Sequence, residues 1–260
     1  MPDTELVHLS CADGVATITL DSPANRNALS APLRAQLQAY LSITATDDAV
    51  RVVVLQHTGP VFCAGMDLTE ARAGGTNTKG ISEFPAILQS ILAHPKPVIA
   101  KLAGPARAGG VGLVAACDLA VAADTVTFAF TEVRIGVVPA VISVTVLPRI
   151  SPRAAQELFL TGEVFTAERA AQIGLLTAAV DPAALDREVQ RYVMALTQGA
   201  PAALARTKAL LAESAGQDLS ARFAAMLELS AAFFASPDAQ EGMAAFTEKR
   251  QPSWVPVRPA

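Results

Sequence analysis

Ala103-Gly104-Pro105-Ala106-Arg107-Ala108-Gly109-Gly110-Val111-Gly112-Leu113 is the stretch on which the fold assignment turns. It follows Val98-Ile99-Ala100-Lys101-Leu102, a short buried-strand run set off by Pro95 and Pro97, and it enters an apolar segment over 111–116. Strand, glycine loop and helix in that order make an α/β unit. The loop runs into that apolar helix, whose first turn carries unpaired N–H groups and partial positive charge. A second segment, Pro60-Val61-Phe62-Cys63-Ala64-Gly65-Met66-Asp67-Leu68, stands in the same relation to the strand-like run 50–56. Glycine permits close approach and unusual backbone angles, so each loop is able to present free N–H groups. Two such donors aimed at one oxygen form an oxyanion hole, where loss of one donor typically costs about 2.7–4 kcal/mol in the transition state. A plain tight turn at a strand end is the alternative use of either loop.

Outward from these loops the chain keeps alternating. Val15-Ala16-Thr17-Ile18-Thr19-Leu20 is a β-branched run ended by Asp21-Ser22-Pro23. A helix is expected from about Ser30, with Pro32 in its first turn and Leu33, Leu37 and Leu41 on one stripe. Strands are expected over 119–122 and 125–128, and a helix over 81–93 with Phe84, Leu88 and Ile91 on one face. The spacing is irregular, so a simple doubly wound sheet is not forced. From Ser151 onward the pattern is helical, with no strand expected after about Val180. A soft boundary divides residues 1–200, the core, from 201–260, a helical C-terminal region.

The chain has 260 residues, 52% of them hydrophobic and 17% charged, which excludes intrinsic disorder. Net charge is −4, without the basic excess of a nucleic-acid binder. The abundant alanine and valine with so few charges suggests either oligomer interfaces or an alanine-rich proteome. Cys11, Cys63 and Cys117 cannot all pair and show no CxxC spacing, so a reducing cytoplasm fits. The acidic start Met1-Pro2-Asp3-Thr4-Glu5 has no apolar leader, and no apolar run reaches membrane-spanning length, so no signal peptide and no membrane partner are expected. His8, His57 and His94 are isolated from second ligands, so no metal is expected. GxSxG, the P-loop and an intact GxGxxG are absent.

Several motifs in order resemble the crotonase (enoyl-CoA hydratase/isomerase) superfamily. Phe62-Cys63-Ala64-Gly65-Met66-Asp67-Leu68 is similar to its FxAGxDL motif, and Lys96-Pro97-Val98-Ile99-Ala100 with Ala103-Gly104 to its KPVIAAVNG strand. Ala108-Gly109-Gly110 resembles its GGG helix start, and Cys117-Asp118-Leu119-Ala120-Val121-Ala122 its CDxxxA segment. Arg26-Asn27-Ala28-Leu29 is similar to its RNAL segment, and Glu132, Gly136 and Pro139 to its ExxxGxxP run. Thr161-Gly162-Glu163 through Gly174-Leu175 follows its TG…A…A…GLV stretch, and the likeness runs from Val15 to Trp254. The resemblance implies an α/β fold, a spiral of ββα turns with a helical C-terminal trimerisation region, in a homotrimer or hexamer. It implies an acyl-coenzyme A thioester substrate of fatty acid metabolism, with no cofactor beyond the CoA of the substrate. The implied oxyanion donors are the N–H groups of Met66 and Gly109, and the implied acid/base is Glu132. The implied CoA contacts are Arg26, Ala28, Ala64, Asp67 and Leu68, with Phe246 and Lys249 reaching CoA, often across a subunit boundary. For Arg26 and Lys249 an ordinary solvated charge is the alternative.

One departure bears on the chemistry. Hydratases of this family resemble one another in carrying two glutamates, one after the GGG start and one in the ExxxGxxP run. The second is Glu132; the first position is Gly112, which has no side chain. Water addition needs a base for water and an acid for the α-carbon, a division that two carboxylates make simple. With one, Glu132 either holds the water and returns a proton in one concerted exchange, or carries a proton from C2 to C4 as an isomerase. A non-catalytic acyl-CoA binder is the third reading. Hydration is favoured because the combination resembles a subgroup that includes bacterial methylglutaconyl-CoA-type hydratases, whose first glutamate is also glycine. On that resemblance a substrate carboxylate is expected beside Gly112; Arg107 or Arg134 is a candidate partner for it, but plain surface arginines are the favoured reading of both. Arg107-Ala108, in place of an apolar-Gly pair, is expected to narrow the acyl pocket. Glu132 beside apolar residues is expected to have a raised pKa, as suits a general acid/base; a helix-start carboxylate is the plain alternative. Asp118 and Asp124 are expected to be structural.

Overall fold

A computed structural model describes residues 5–73, 79–213 and 219–253; Met1 to Thr4 and Trp254 lie outside them. The chain opens with a hairpin of β1 (Val7–Ala12) and β2 (Val15–Leu20), antiparallel and in register from Val7↔Leu20 to Ala12↔Val15. Its two-residue turn, Asp13-Gly14, has both φ angles positive (50° and 77°), the geometry that matches the twist of the flanking strands. After α1 (Ala31–Thr46), β3 (Val52–His57) pairs parallel with β2. Then come α2 (Leu68–Ala73), α3 (Lys79–Leu92), β4 (Val98–Leu102), β5 (Ala106–Arg107) and α4 (Gly109–Ala116). Next are β6 (Leu119–Ala123), β7 (Thr127–Ala129), α5 (Ala140–Val146), α6 (Pro152–Thr161), β8 (Phe165–Thr166), α7 (Ala167–Gln172) and β9 (Ala178–Val180). Four helices close the described chain: α8 (Leu185–Thr197), α9 (Pro201–Glu213), α10 (Leu219–Phe234) and α11 (Pro237–Glu248).

The larger sheet has the order β1-β2-β3-β4-β6-β9 and the smaller the order β5-β7-β8. The chain therefore spirals. A strand in the large sheet leads to a short strand in the small one and then to a helix: β4, β5, α4, then β6, β7, α5. The two earlier turns follow the same path with single parallel bridges in place of the second strand, Leu29↔Met66 and Cys63↔Ala106. The inner strands are largely buried on both faces because helices cover them, so β6 reads as a continuous apolar run and β4 as one interrupted only by Lys101. Leu33, Leu37 and Leu41 of α1, and Leu88 and Ile91 of α3, are at most 1% exposed, as the helical stripes predict.

The differences from expectation are local. The β1 strand is not anticipated, since only Val7 in it is buried and the apolar alternation is lost on an edge strand; Asp13-Gly14 is the signal that marks it. The strand expected over 125–128 sits over 127–129, because Val126 N–H closes a turn onto the Ala123 carbonyl at 3.0 Å. Helix α4 starts two residues earlier than the apolar run, at Gly109. Asp118 is structural: its Oδ2 accepts from Val98 N–H and from Lys208 Nζ, both at 2.7 Å, tying α9 to the end of β4.

Candidate active site

Each spiral turn delivers its helix start to the same side, and two of those starts meet. Phe62 N–H donates to the Pro105 carbonyl and Arg107 N–H to the Cys63 carbonyl, both at 3.0 Å, zipping the two glycine loops together. The loops touch so closely that a methyl carbon built on Gly65 would lie 2.9 Å from Ala108 Cβ and 3.3 Å from the Gly109 nitrogen. Gly65 also has φ = +93°, open to glycine alone at low strain. The next N–H along each loop, Met66 and Gly109, has no acceptor among the described residues, and both residues line one cavity of about 630 Å³. Gly109 is the first residue of α4, so its N–H adds the positive end of that helix. Ala108, just before it, holds φ = 46°, ψ = −119°, strained for a residue with a Cβ, and its N–H is anchored on the Ala129 carbonyl at 3.1 Å.

Glu132 opens a 3₁₀ turn, Glu132–Ile135, directly after β7 and lines the same cavity. It is 9% exposed, and its Oε2 has no hydrogen-bond partner among the described residues. Burial in apolar surroundings pushes its pKa from 4.5 up to about 7, against a weaker opposing hydrogen bond from its own backbone. A carboxyl that is poised to hold or release a proton at neutral pH suits general acid/base work. Free amides and this carboxyl facing one apolar cavity can stabilise an oxyanion while a neighbouring carbon gains or loses a proton.

The cavity also gathers Arg26, Ala28, Ala64, Asp67, Leu68 and Phe246. Asp67 doubles as a cap, its Oδ1 accepting from Thr69 N–H at 2.9 Å at the start of α2. Arg26, at φ = 59°, ends the short turn Pro23–Asn25 and accepts at its carbonyl from Ala64 N–H. Phe246 is 57% exposed. Lys249 does not join them: it is exposed at the left-handed end of α11 and outside the cavity lining.

One expectation is corrected. The space beside Gly112 is not open to a substrate carboxylate; Gly112 is buried and absent from the lining, and Ile142 stands over it. Arg107 and Arg134 both border the cavity, but each is held by the chain itself. Arg107 Nη1 donates to the Ala106 and Thr127 carbonyls and Nη2 to Thr127 Oγ1, while Arg134 Nε donates to the Thr161 carbonyl at 2.7 Å.

Other contributors carry little local signal. Asn27 is fully buried; its Oδ1 accepts from Ser22 N–H, and its Nδ2 donates to the Thr58 and Val61 carbonyls, fixing the entry to the first donor loop. Arg34, 3% exposed, donates to the Leu29 carbonyl and pairs with Glu70 and Glu83, holding α1, α2 and α3 around the Met66 loop. Ile142 on α5 and Ser230 and Phe234 on α10 complete the wall. Asn27 lies within the Arg26-Asn27-Ala28-Leu29 motif, but the others are identified only by their positions in the fold.

A ββα spiral in which two glycine-loop amides and a buried carboxyl line one largely apolar cavity is an enzyme architecture of the crotonase type. The chain belongs to the enoyl-CoA hydratase/isomerase family, whose sequence profile matches residues 10–256. An enoyl-CoA hydratase structure from Mycobacterium avium superposes with a TM-score of 0.87 at 45% identity, covering 97% of this chain and all of that one. The human enoyl-CoA hydratase domain-containing protein 3, mitochondrial, is 32% identical over 245 residues, 93% of this chain and 81% of that protein. The (E)-benzylidenesuccinyl-CoA hydratase of Thauera aromatica is 32% identical over 261 residues, 95% of this chain and 98% of that enzyme.

Proposed function

We propose that the protein adds water to a 2-enoyl-CoA thioester. The observation that carries this is the meeting of two acceptor-free amides, Met66 and Gly109, with one proton-exchanging carboxyl, Glu132, in a single cavity. The thioester oxygen accepts from both amides, which draws electron density off C3. Ionised Glu132 takes a proton from water as the oxygen bonds to C3, and the resulting enolate is held by the two donors. Protonated Glu132 then returns that proton to C2, leaving a 3-hydroxyacyl-CoA and the carboxylate restored. The CoA portion lies along Ala28, Ala64, Asp67 and Leu68, with Arg26 toward its phosphates and Phe246 at the rim. Lys249, outside its own chain's cavity, serves the CoA of a neighbouring copy in a trimer or hexamer.

Relatives named as hydratases support this reading. A second reading, transfer of a proton from C2 to C4 of a 3-enoyl-CoA, is favoured by the apolar wall at Ile142, which offers no second group to hold water. Loss of the conjugated-thioester absorbance on mixing with crotonyl-CoA, abolished by Glu132→Gln, is the expected result. A protein inert toward crotonyl-CoA that generates that absorbance from a 3-enoyl-CoA selects the isomerase. Activity on either substrate that is indifferent to Glu132→Gln sinks both.

A further inference from the structure

The face of α4 that carries Gly112 is closely covered. All eight residues of the helix are buried. A methyl carbon built on Gly112 would stand 2.6 Å from Ile142 Cγ2 and 3.2 Å from its Cβ. Isoleucine in a helix has one strongly preferred χ1, so Cγ2 has nowhere to swing without strain. The backbones are tied at the same place, since Thr145 Oγ1 donates to the Gly112 carbonyl at 3.2 Å, within the buried interface. Gly112 and Ile142 are therefore one packing unit: the missing side chain of one helix is replaced by the side chain of the other. Ile142 is 3% exposed, and what it exposes faces the cavity that holds Glu132, flanked by Val138, Ala140 and Val141.

We propose that Ile142, seated on Gly112, is a specificity-determining residue of this site: it closes the Gly112 face of the cavity to an acidic group and limits the acyl end to a short uncharged hydrocarbon. This rests on the acyl-CoA reading above. The Ile142 side chain carries no hydrogen-bonding atom, so a carboxylate pressed against that wall would lose its water without gaining a partner, whereas a methylene chain loses nothing.

The test has two arms. In the first, butyryl-, hexanoyl- and glutaryl-CoA are titrated calorimetrically into the protein and into Ile142→Ala. The unaltered protein is expected to bind butyryl-CoA best, and Ile142→Ala to shift the hexanoyl-to-butyryl preference by about tenfold, the scale on which apolar pockets separate ligands differing by methylenes. Identical preferences in both proteins, or tight glutaryl-CoA binding by the unaltered one, overturn the proposal. In the second arm, Gly112→Ala is made in the unaltered protein and in the Ile142→Ala variant. It is expected to lower Tm by about 5 °C in the unaltered protein, where isoleucine crowds the new methyl, and by much less in the variant; equal losses overturn the packing unit. Failure of the first arm is distinct from failure of the parent reading. If no acyl-CoA binds, both fall together; if binding is normal but Glu132→Gln leaves turnover intact, only the acid/base assignment falls.

Discussion

Replacing Glu132 by Gln removes a buried ionisable group whose Oε2 has no partner among the described residues, and the effect on stability has a defined pH signature. In the folded state the carboxyl holds its proton up to about pH 7 because burial penalises the anion, whereas its ordinary value is 4.5. Below pH 4.5 the group is protonated in both folded and unfolded chains and contributes nothing pH-dependent. Between 4.5 and about 7 the unfolded chain releases its proton while the folded chain retains it, so stability falls as pH rises. Above about 7 both are ionised and the penalty is complete. At about 1.4 kcal/mol per pH unit, that interval amounts to about 3 kcal/mol. Glutamine has nearly the same shape and never ionises, so any cost of its buried amide is the same at every pH. Urea unfolding of both proteins at about pH 4.5, 6 and 8, at one protein concentration, reads the difference. Glu132→Gln should gain about 3 kcal/mol on the parent across that range, since all other titrating groups cancel. A difference that stays flat with pH would show that the carboxyl is not buried unpaired, and the acid/base argument would lose its physical basis.

Turnover should move the opposite way. Ionised Glu132 is the form that accepts a proton from water, so kcat/KM for crotonyl-CoA should rise with pH through about 7 and level off above it; a profile flat from about pH 6 to 8 contradicts this. Ala108→Gly should raise the unfolding free energy by about 1 kcal/mol by releasing a Cβ held at φ = 46°, measured by denaturant midpoint at constant m. Asn27→Ala should cost about 3 kcal/mol, because it strands the Ser22 N–H and the Val61 carbonyl and places alanine at φ = 52°. Lys208→Met should cost about 3 kcal/mol by leaving Asp118 without its buried cation, and protease cleavage within α9 should quicken in parallel.

The donor loops are legible in the sequence because their requirement is local. A backbone N–H can be exposed at a strand end only where side chains stay out of the way, and Gly65, Gly109 and Gly110 announce that in one dimension. The stripes of α1 and α3 are legible for the same kind of reason, a period written within a few turns. The placement of Glu132 is partly legible: the apolar run before it predicts a raised pKa, but the number of its partners depends on elements far along the chain. Arg34 and Ser230 look ordinary in sequence, and each acquires its role from a contact with a distant segment or cavity. Lys249 shows the reverse. Its motif suggests a CoA contact, yet within one chain the residue lies outside the cavity lining.

Gly112 is where sequence reasoning and structure part most instructively. Read along the chain, a glycine in the place of an acid is a subtraction, and the natural inference is a vacancy waiting for a ligand. Protein interiors are packed as densely as organic crystals, and a void the size of a side chain costs several kcal/mol. A glycine on a fully buried helix therefore does not leave a hole; it permits a neighbour to come closer. Here the neighbour is a β-branched residue on α5 whose Cγ2 sits 2.6 Å from where a Cβ would stand. The loss of an acid is thus also the gain of an apolar wall, and the two changes bear on the chemistry in the same direction. Restoring the acid alone, as Gly112→Glu, would drive a charged side chain into Ile142 on a fully buried helix face, adding desolvation to overpacking. It should yield less activity than the parent, not more, and only a simultaneous Ile142→Ala should allow the two-acid site to form.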